Sequence, residues 1–552
     1  MEASSDPCPK SAVSHGVGLA GLAGLGLWTL VARHYGMDGP NAGFAAVIAC
    51  ALPMILWSLL VDRVHRNAST GIDWDMPPRP WRAAFDTALV KIAGLWATWL
   101  GIAIFYCLAR WYWQGNYHFA MDLFAWSAPG LVLLSIPYVT WLDRRLKEPR
   151  DATYAFGQWV IGGAAGSPDM GQVANHARAW AVKGFFLAFM VSIVPGNFAD
   201  VVGWSINRAI SNPVDLALFL IAVMFMVDVV MATVGYVLTM KPLDAHIRTA
   251  NPYLAGWLAA LICYPPFVLM GGGGPLDYHA GGAEWFVWTQ GNTALQWLLG
   301  GWLVMLTGLY AWATVAFGLR FSNLTHRGIL THGPYRWTRH PAYLSKNLFW
   351  WFSSLPFLAV SGSIADIARN CAMLAATNAV YYWRAKTEEK HLSADPDYRA
   401  YSEWMDRNGP VPRFFAWLTG RRSAGTAGLH PADAEALVDA LDALKRAGNS
   451  LFVVEHDLDL MRRSDWLVDV GPGAGENGGE VLYSGPPAGL REVAASRTAA
   501  YLFAPEAAGD AGRPPRSAQG WLRLEGVTRN NLEAVDTVFP IGAMTAVTGV
   551  SG

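Results

Sequence analysis

Up to about residue 383 the chain alternates long apolar runs with short polar connections, and beyond that point the pattern changes. A bilayer core about 30 Å thick needs roughly 20 apolar residues per helical span. Ten runs approach that length: Ala12–Ala32, Ala42–Val61, Ala88–Leu108, Leu123–Leu142, Val182–Phe198, Val214–Leu238, Leu254–Met270, Ala294–Phe317, Ala342–Leu358 and Ile364–Trp383. The fifth, seventh and ninth are short enough to be tilted, re-entrant or interfacial. After a junction at 414–423 the runs give way to soluble α/β patterning. Helical spacing over Leu429–Gly448, an apolar strand pattern at 450–456, a short helix at Leu458–Arg463 and another strand at Trp466–Val470 precede a glycine-rich turn. The fold class expected is therefore mainly α: a polytopic bundle of about ten spans, followed by a small α/β segment.

Composition agrees with lipid as the solvent. Hydrophobic residues make up 53% of the chain, charged residues 15%, and there are 27 Trp. The net charge of −1 conceals sparse, clustered charges in the first part and dense, scattered ones in the tail. Loops 62–88, 143–183, 239–253 and 318–340 hold sixteen Lys and Arg, whereas the alternate loops hold only Arg33, Arg110 and Arg208, with Arg369 at the outer end of the last run. By the positive-inside rule this alternation places both ends of the membrane region in the cytoplasm, in what reads as a bacterial inner membrane. Met1 to Lys10 lacks the basic flank and cleavage site of a signal peptide, so the first run is expected to stay as an anchor. Cys8, Cys50, Cys107, Cys263 and Cys371 have neither metal-ligand nor disulfide spacing, so no metal site is expected.

Ionisable residues inside apolar runs are functional candidates because burying a charge in hydrocarbon is costly. Lys91, near the cytoplasmic end of its run, can extend its ammonium to the interface. Asp228, central in FMVDVV, either lines a substrate cavity or makes an interhelical hydrogen bond.

The most informative stretch is GPYRWTRHPAY at 333–343, followed by the ninth and tenth runs and then by RAKTEEKHL at 384–392, with Tyr398 and Tyr401 beyond. A helical hairpin would return both polar clusters to one cytoplasmic face. Pro334 and Pro341 disfavour helix at the residues before them, and Pro341 suits a first helical position. Arg336, Arg339, His340 and the free amides of that helix start would present donors to an anionic or carboxylate-bearing cofactor. Glu388, four residues after Arg384, is spaced to pair with it or be oriented by it.

This ordered set resembles the isoprenylcysteine carboxyl methyltransferase family of membrane methyltransferases, closely over about 320–405 and generically over the preceding spans (1–319). The resemblance implies S-adenosylmethionine as cofactor, with Tyr335, His340, Pro341, Tyr343, Arg384, Glu388 and Glu389 in binding positions and Arg339, His340 and Glu389 in catalytic ones. It also implies a lipid-like acceptor entering from the bilayer and an in-line transfer without a covalent nucleophile. Membrane sterol reductases, which bind NADPH, also pair an RHPxY-like segment with an acidic-basic helix. RAKTEEKHL lacks the Arg-Asp-Glu plus Cys pattern expected of them.

The tail, about 424–552, resembles the UvrA family of excinucleases, DNA-repair ATPases of the ABC type. The carrying segments are TAGLHPADAEAL at 426–437, VVEHD at 453–457, VDVGPGAGENGGEVLYSGPP at 468–487 and the run 521–552, with 506–520 as linker between 424–505 and 521–552. A phosphate-binding loop needs a Lys after its last glycine, whereas Gly549-Val-Ser-Gly552 carries none. Arg422 to Gly425 stands where the resemblance places an Asp-Glu pair, so no complete ATP or Mg²⁺ site is expected. His456, Gly549 and Gly552 are then vestiges of a nucleotide site, and nucleic-acid binding is not expected, because the tail lacks a basic groove. The sequence thus reads as a membrane methyltransferase fused to an inert repair-ATPase fragment.

Overall fold

The computed structural model describes residues 8–162, 167–418, 445–446, 450–454, 458–471, 479–503, 518–527 and 535–549. It divides into two units, Met1–Ser423 and Ala424–Gly552.

Among the described residues, seven helices of the first unit are long and apolar enough to cross a membrane. They are α1 (His15–Tyr35), α2 (Pro40–Leu56, extended by one π-turn to Val61), α3 (Trp81–Leu108), α4 (Tyr117–Asp143), α6 (Met170–Gly203), α8 (Pro213–Val237) and α11 (Thr293–Phe317, extended by a 3₁₀ turn). Short helices α5 (Ala152–Val160), α7 (Ile206–Ala209), α9 (Leu254–Leu261) and α10 (Trp285–Trp288) fill the connections. Three of the ten expected spans are not among these seven. Only α9 is helical in Leu254–Met270, and the chain continues through an irregular stretch containing Pro265-Pro266. The ninth run is α12 (Pro341–Ser354), whose 14 residues reach only about 21 Å. The tenth is α13 (Ile364–Leu392), long enough but carrying Asp366, Arg369, Asn370 and Arg384 within it.

The irregular seventh segment still runs the height of α13. Asn251 donates to the Thr387 carbonyl at one end, and Asn370 donates to the Ala280 carbonyl at the other, about 25 Å apart along the helix. Such backbone is tolerated at membrane depth where protein covers it or it lines a cavity. Helices α14 (Pro396–Asn408) and α15 (Pro410–Leu418) follow.

Charges placed in loops or near interfaces by the sequence turn out to be buried joints. Lys91 is a buried ion-pair partner: it is 3% exposed, 2.7 Å from Asp143 on α4 and 3.2 Å from Asp151, which caps α5 and also meets Lys241 at 2.9 Å. Nearby, α3 and α5 cross so closely that a Cβ on Gly157 would lie 2.0 Å from the Val90 carbonyl oxygen. Lys91→Met will leave Asp143 without its nearest counter-ion, a loss of about 3–5 kcal/mol. It will show as a lower unfolding midpoint in detergent, largely recovered in Lys91→Met/Asp143→Leu.

Arg327 is buried and its guanidinium donates to the carbonyls of Gly235, Leu238, Ala245, Leu319 and Phe321, so it closes the carboxyl ends of α8 and α11. Arg320 donates to the Arg327 carbonyl and pairs at 2.8 Å with Asp244, which also accepts from Asn67 and Ser69. A two-stranded pair, β1 (Thr249–Ala250) against β2 (Thr325–His326), completes this polar end of the bundle.

In the second unit, β3 (Leu451–Val454), β8 (Met544–Gly549) and β4 (Trp466–Gly471) run parallel in the order β3-β8-β4, and β5 (Glu480–Gly485) joins β4 antiparallel. β6 (Gly520–Val527) and β7 (Val535–Ile541) form a separate antiparallel pair. The expected strands at 450–456 and 466–470 and the helix Leu458–Arg463 are present. Most of Leu429–Gly448, with His456 and Gly552, lies outside the described residues, and Gly549 ends β8.

Candidate functional site

Helices α12 and α13 form the hairpin that brings the two polar clusters together. The segment before α12 is a single 3₁₀ turn, Gly333–Arg336, and Gly333 takes φ +58, a conformation natural to glycine. Pro341 then opens α12 as N1, as its fixed φ predicts. The turn is braced from below by the N-terminal segment: Ser11 is 2.7 Å from a ring nitrogen of His332, Thr331 donates to the Pro9 carbonyl, and Ala12 to that of Ile329. It is braced from above by α14, whose Tyr401 donates to the Tyr335 carbonyl at 2.7 Å.

The last two turns of α13 extend past its apolar part and present Glu388 and Glu389. His340 Nε2 lies 3.0 Å from Glu389, whose other oxygen takes the Lys386 ammonium at 2.7 Å. Arg339 is 3.6 Å from Glu389 and is held by Asp406 at 3.0 Å and Ser402 at 2.6 Å on α14. Burial alone would raise the Glu389 carboxyl, but the hydrogen bonds from His340 and Lys386, with the charges of His340 and Arg339, push it down to about 2. Tyr343 donates to Glu388 at 3.1 Å and stacks against the His340 ring.

Two expectations are corrected here. Arg384 does not engage Glu388: it donates to Asn323 at 3.2 Å, and its guanidinium lies 5.1–5.6 Å from the ring centres of Tyr264, Tyr343 and Tyr381. The i,i+4 spacing is present, but Tyr343 takes the carboxylate and the aromatic rings take the cation. Arg336 is exposed and lies outside the cleft, so it is no donor to a ligand there.

Of the predicted residues, Tyr335, Arg339, His340, Tyr343, Arg384 and Glu388 line a cleft of about 670 Å³, counted to its open mouth, whereas Pro341 and Glu389 do not line it. Its polar wall is Arg339, His340, Tyr343, Arg384 and Glu388, with Tyr335 beside them. Its deeper wall, which sequence reasoning missed, is Tyr264, Tyr310, Thr314, Lys346 and Tyr381. Lys346 had a signal, a lysine inside a run read as a span. The tyrosines had none, because each reads alone as core or interface. A smaller opening of about 310 Å³ shares Tyr343, Arg384 and Glu388 and is bounded by Asn251, Thr387 and His391. Among the described residues no group of three or more His, Cys, Asp or Glu is placed to hold a metal ion.

Comparison with known proteins treats the two units separately. A family model described as a protein of unknown function, DUF1295, matches residues 286–405, which contain both polar clusters and the hairpin. Over 129 residues, a length equal to the second unit, the chain is 62% identical to the UvrABC system protein A of Paucimonas lemoignei, covering 23% of this chain and 19% of that one. It is 45% identical over 126 residues to the same-named protein of Streptomyces avermitilis, covering 23% and 12%. The chain therefore spans about a fifth or less of the length of these curated relatives. The crystal structure of UvrA2 from Deinococcus radiodurans is 40% identical, covering 31% of this chain and 22% of that one, with a TM-score of 0.14.

Proposed function

We propose that the first unit is an integral membrane methyltransferase that uses S-adenosylmethionine on a lipid-like acceptor, with the cleft mouth on the cytoplasmic face of a bacterial inner membrane. The observation that carries this reading is the pairing of an aromatic-walled cleft, already able to hold the Arg384 and Lys346 cations over its rings, with the Glu388 carboxylate in its wall and Glu389 behind His340. A cofactor with a sulfonium and an α-ammonium needs ring faces for the one and a carboxylate for the other. The buried Tyr398 hydroxyl, near Glu389 and without a hydrogen-bond partner among the described residues, is a further donor for a bound polar group.

In this reading Glu388 and Glu389 receive the cationic part of the cofactor, Tyr335, Pro341 and Tyr343 shape its seat, and His340 and Arg339 hold Glu389 in place. The bound cofactor supplies an electrophilic methyl group, and the protein aligns the acceptor in line with it and excludes water. The UvrA-like second unit contributes no ATP hydrolysis, because Arg422 to Gly425 stands where the acidic pair of that family would be.

The full chain in lipid nanodiscs will bind tritiated S-adenosylmethionine, and excess NADPH will not displace it. Saturable NADPH binding without S-adenosylmethionine binding would overturn the assignment in favour of hydride transfer.

A further inference from the structure

At the membrane-side end of the cleft an acid sits behind two hydroxyls. Asp228 on α8 is 7% exposed, and its carboxyl accepts a short hydrogen bond from Thr314 on α11. The phenol of Tyr310, one turn earlier on α11, is a close neighbour of the same carboxyl. Thr314 and Tyr310 line the cleft, whereas Asp228 does not. Phe225, one turn before Asp228, packs its ring against Tyr310 and Phe349, so apolar side chains close the other approach. The one charged neighbour facing the carboxyl is Lys346 on α12, with Tyr335 as a more distant ionisable group. Lys346 itself lies over the rings of Tyr310, Trp350 and Tyr381, and no carboxylate among the described residues is within ion-pair distance of it.

A buried carboxyl that only joined two helices would need one donor and no opening. Here both hydroxyls are themselves cleft wall, so the carboxyl communicates with the cleft through them. We propose, resting on the methyltransferase reading, that Asp228 is the proton acceptor of the reaction, acting through Tyr310 and Thr314, and that the acceptor is a membrane-dissolved amphiphile with a hydroxyl head. As the acceptor oxygen gives a lone pair to the methyl carbon, the carbon–sulfur bond breaks with its pair left on sulfur. The O–H proton passes to the Thr314 or Tyr310 oxygen, that hydroxyl passes its own proton to Asp228, and the proton leaves later to water through the cleft. A carboxylate head has no proton to lose and would meet Asp228 as a second anion, while a protonated amine would meet the Lys346 ammonium.

The test has a spectroscopic arm and a labelling arm, both on the full chain in phosphatidylcholine bilayers. In an infrared pH titration, the protonated-carboxyl band assigned by its loss in Asp228→Asn will appear and vanish reversibly with buffer pH. That response will be lost in Tyr310→Phe/Thr314→Val. A band indifferent to pH, or one that titrates normally in the double variant, would make Asp228 a helix joint and overturn the proposal; neither result depends on which cofactor binds. With tritiated methyl donor and three probes of one chain length, dodecanol, dodecylamine and dodecanoic acid, dodecanol will be labelled fastest. Asp228→Asn will lower that rate by at least about 100-fold while cofactor binding stays within about twofold. Faster labelling of the acid or the amine, or unchanged labelling in Asp228→Asn, refutes it. Absence of S-adenosylmethionine binding by the wild type would instead remove the methyltransferase reading and leave the infrared result standing.

Discussion

Arg327→Leu will leave most of the chain unable to reach a monodisperse folded state in detergent. The guanidinium donates to five backbone carbonyls at the end of α8 and in the segments that follow α8 and α11. Those oxygens are orphans of helix termini and have no water to turn to. Each buried acceptor left unmade costs about 1–3 kcal/mol, so the sum is comparable to the whole stability of about 5–15 kcal/mol of a typical domain. Arg327→Lys will recover only part of the yield, since three donors on a point charge cannot replace the five of a planar fork. Arg82→Ala, at an exposed position on α3, is the matched control and will change stability by no more than about 0.5 kcal/mol. The monodisperse fraction by size exclusion, with the unfolding midpoint of whatever folds, checks all three. If Arg327→Leu folds in wild-type yield, the carbonyl set has other donors and the account is wrong.

The second large effect is on cofactor binding. Glu389→Ala removes the partner of His340, Lys386 and Arg339 together, and removing one partner of a buried charged pair costs about 2–5 kcal/mol. Binding of tritiated S-adenosylmethionine will therefore weaken at least about 30-fold, as it will in His340→Ala, while membrane insertion is retained in both. Binding retained in both variants would end the site assignment. Glu389 also sets a pH signature. Its carboxyl titrates at about 2 in the fold, below its ordinary value of 4.5, so the unfolded chain binds the proton more readily in that window. The stability it contributes is fully present above about pH 4.5 and is lost as the pH falls towards 2. The unfolding midpoint of Glu389→Gln will accordingly converge on the wild type as acid is added, and a constant gap across that range would contradict the assignment of the low-titrating group.

The run lengths made α1 to α4, α6, α8 and α11 legible, because a helix that buries its backbone in lipid must be apolar for about 20 residues. The same rule is less decisive where backbone is covered by protein. Leu254–Met270 is apolar enough for a span, yet it lies along α13, which relieves it of the need to be helical. Basic residues misled in a related way. Arg320 and Arg327 satisfy the positive-inside count as well as Arg63 or Arg66 does, and nothing local says that they turn inward to close helix ends.

At the site, the sequence by itself determined which groups meet. GPYRWTRHPAY and RAKTEEKHL are joined by a hairpin of apolar helices, so His340, Tyr343, Glu388 and Glu389 must return to one face. What only the tertiary structure decided is which group answers which. Spacing on one helix offered Arg384 to Glu388, but side chains from other elements, Asn323, Tyr264 and Tyr343, compete for both and win. The deep wall was decided the same way. Asp228, Tyr310, Thr314 and Lys346 come from three helices far apart in the chain, and no periodicity within one helix records what the packing of its neighbours places opposite it.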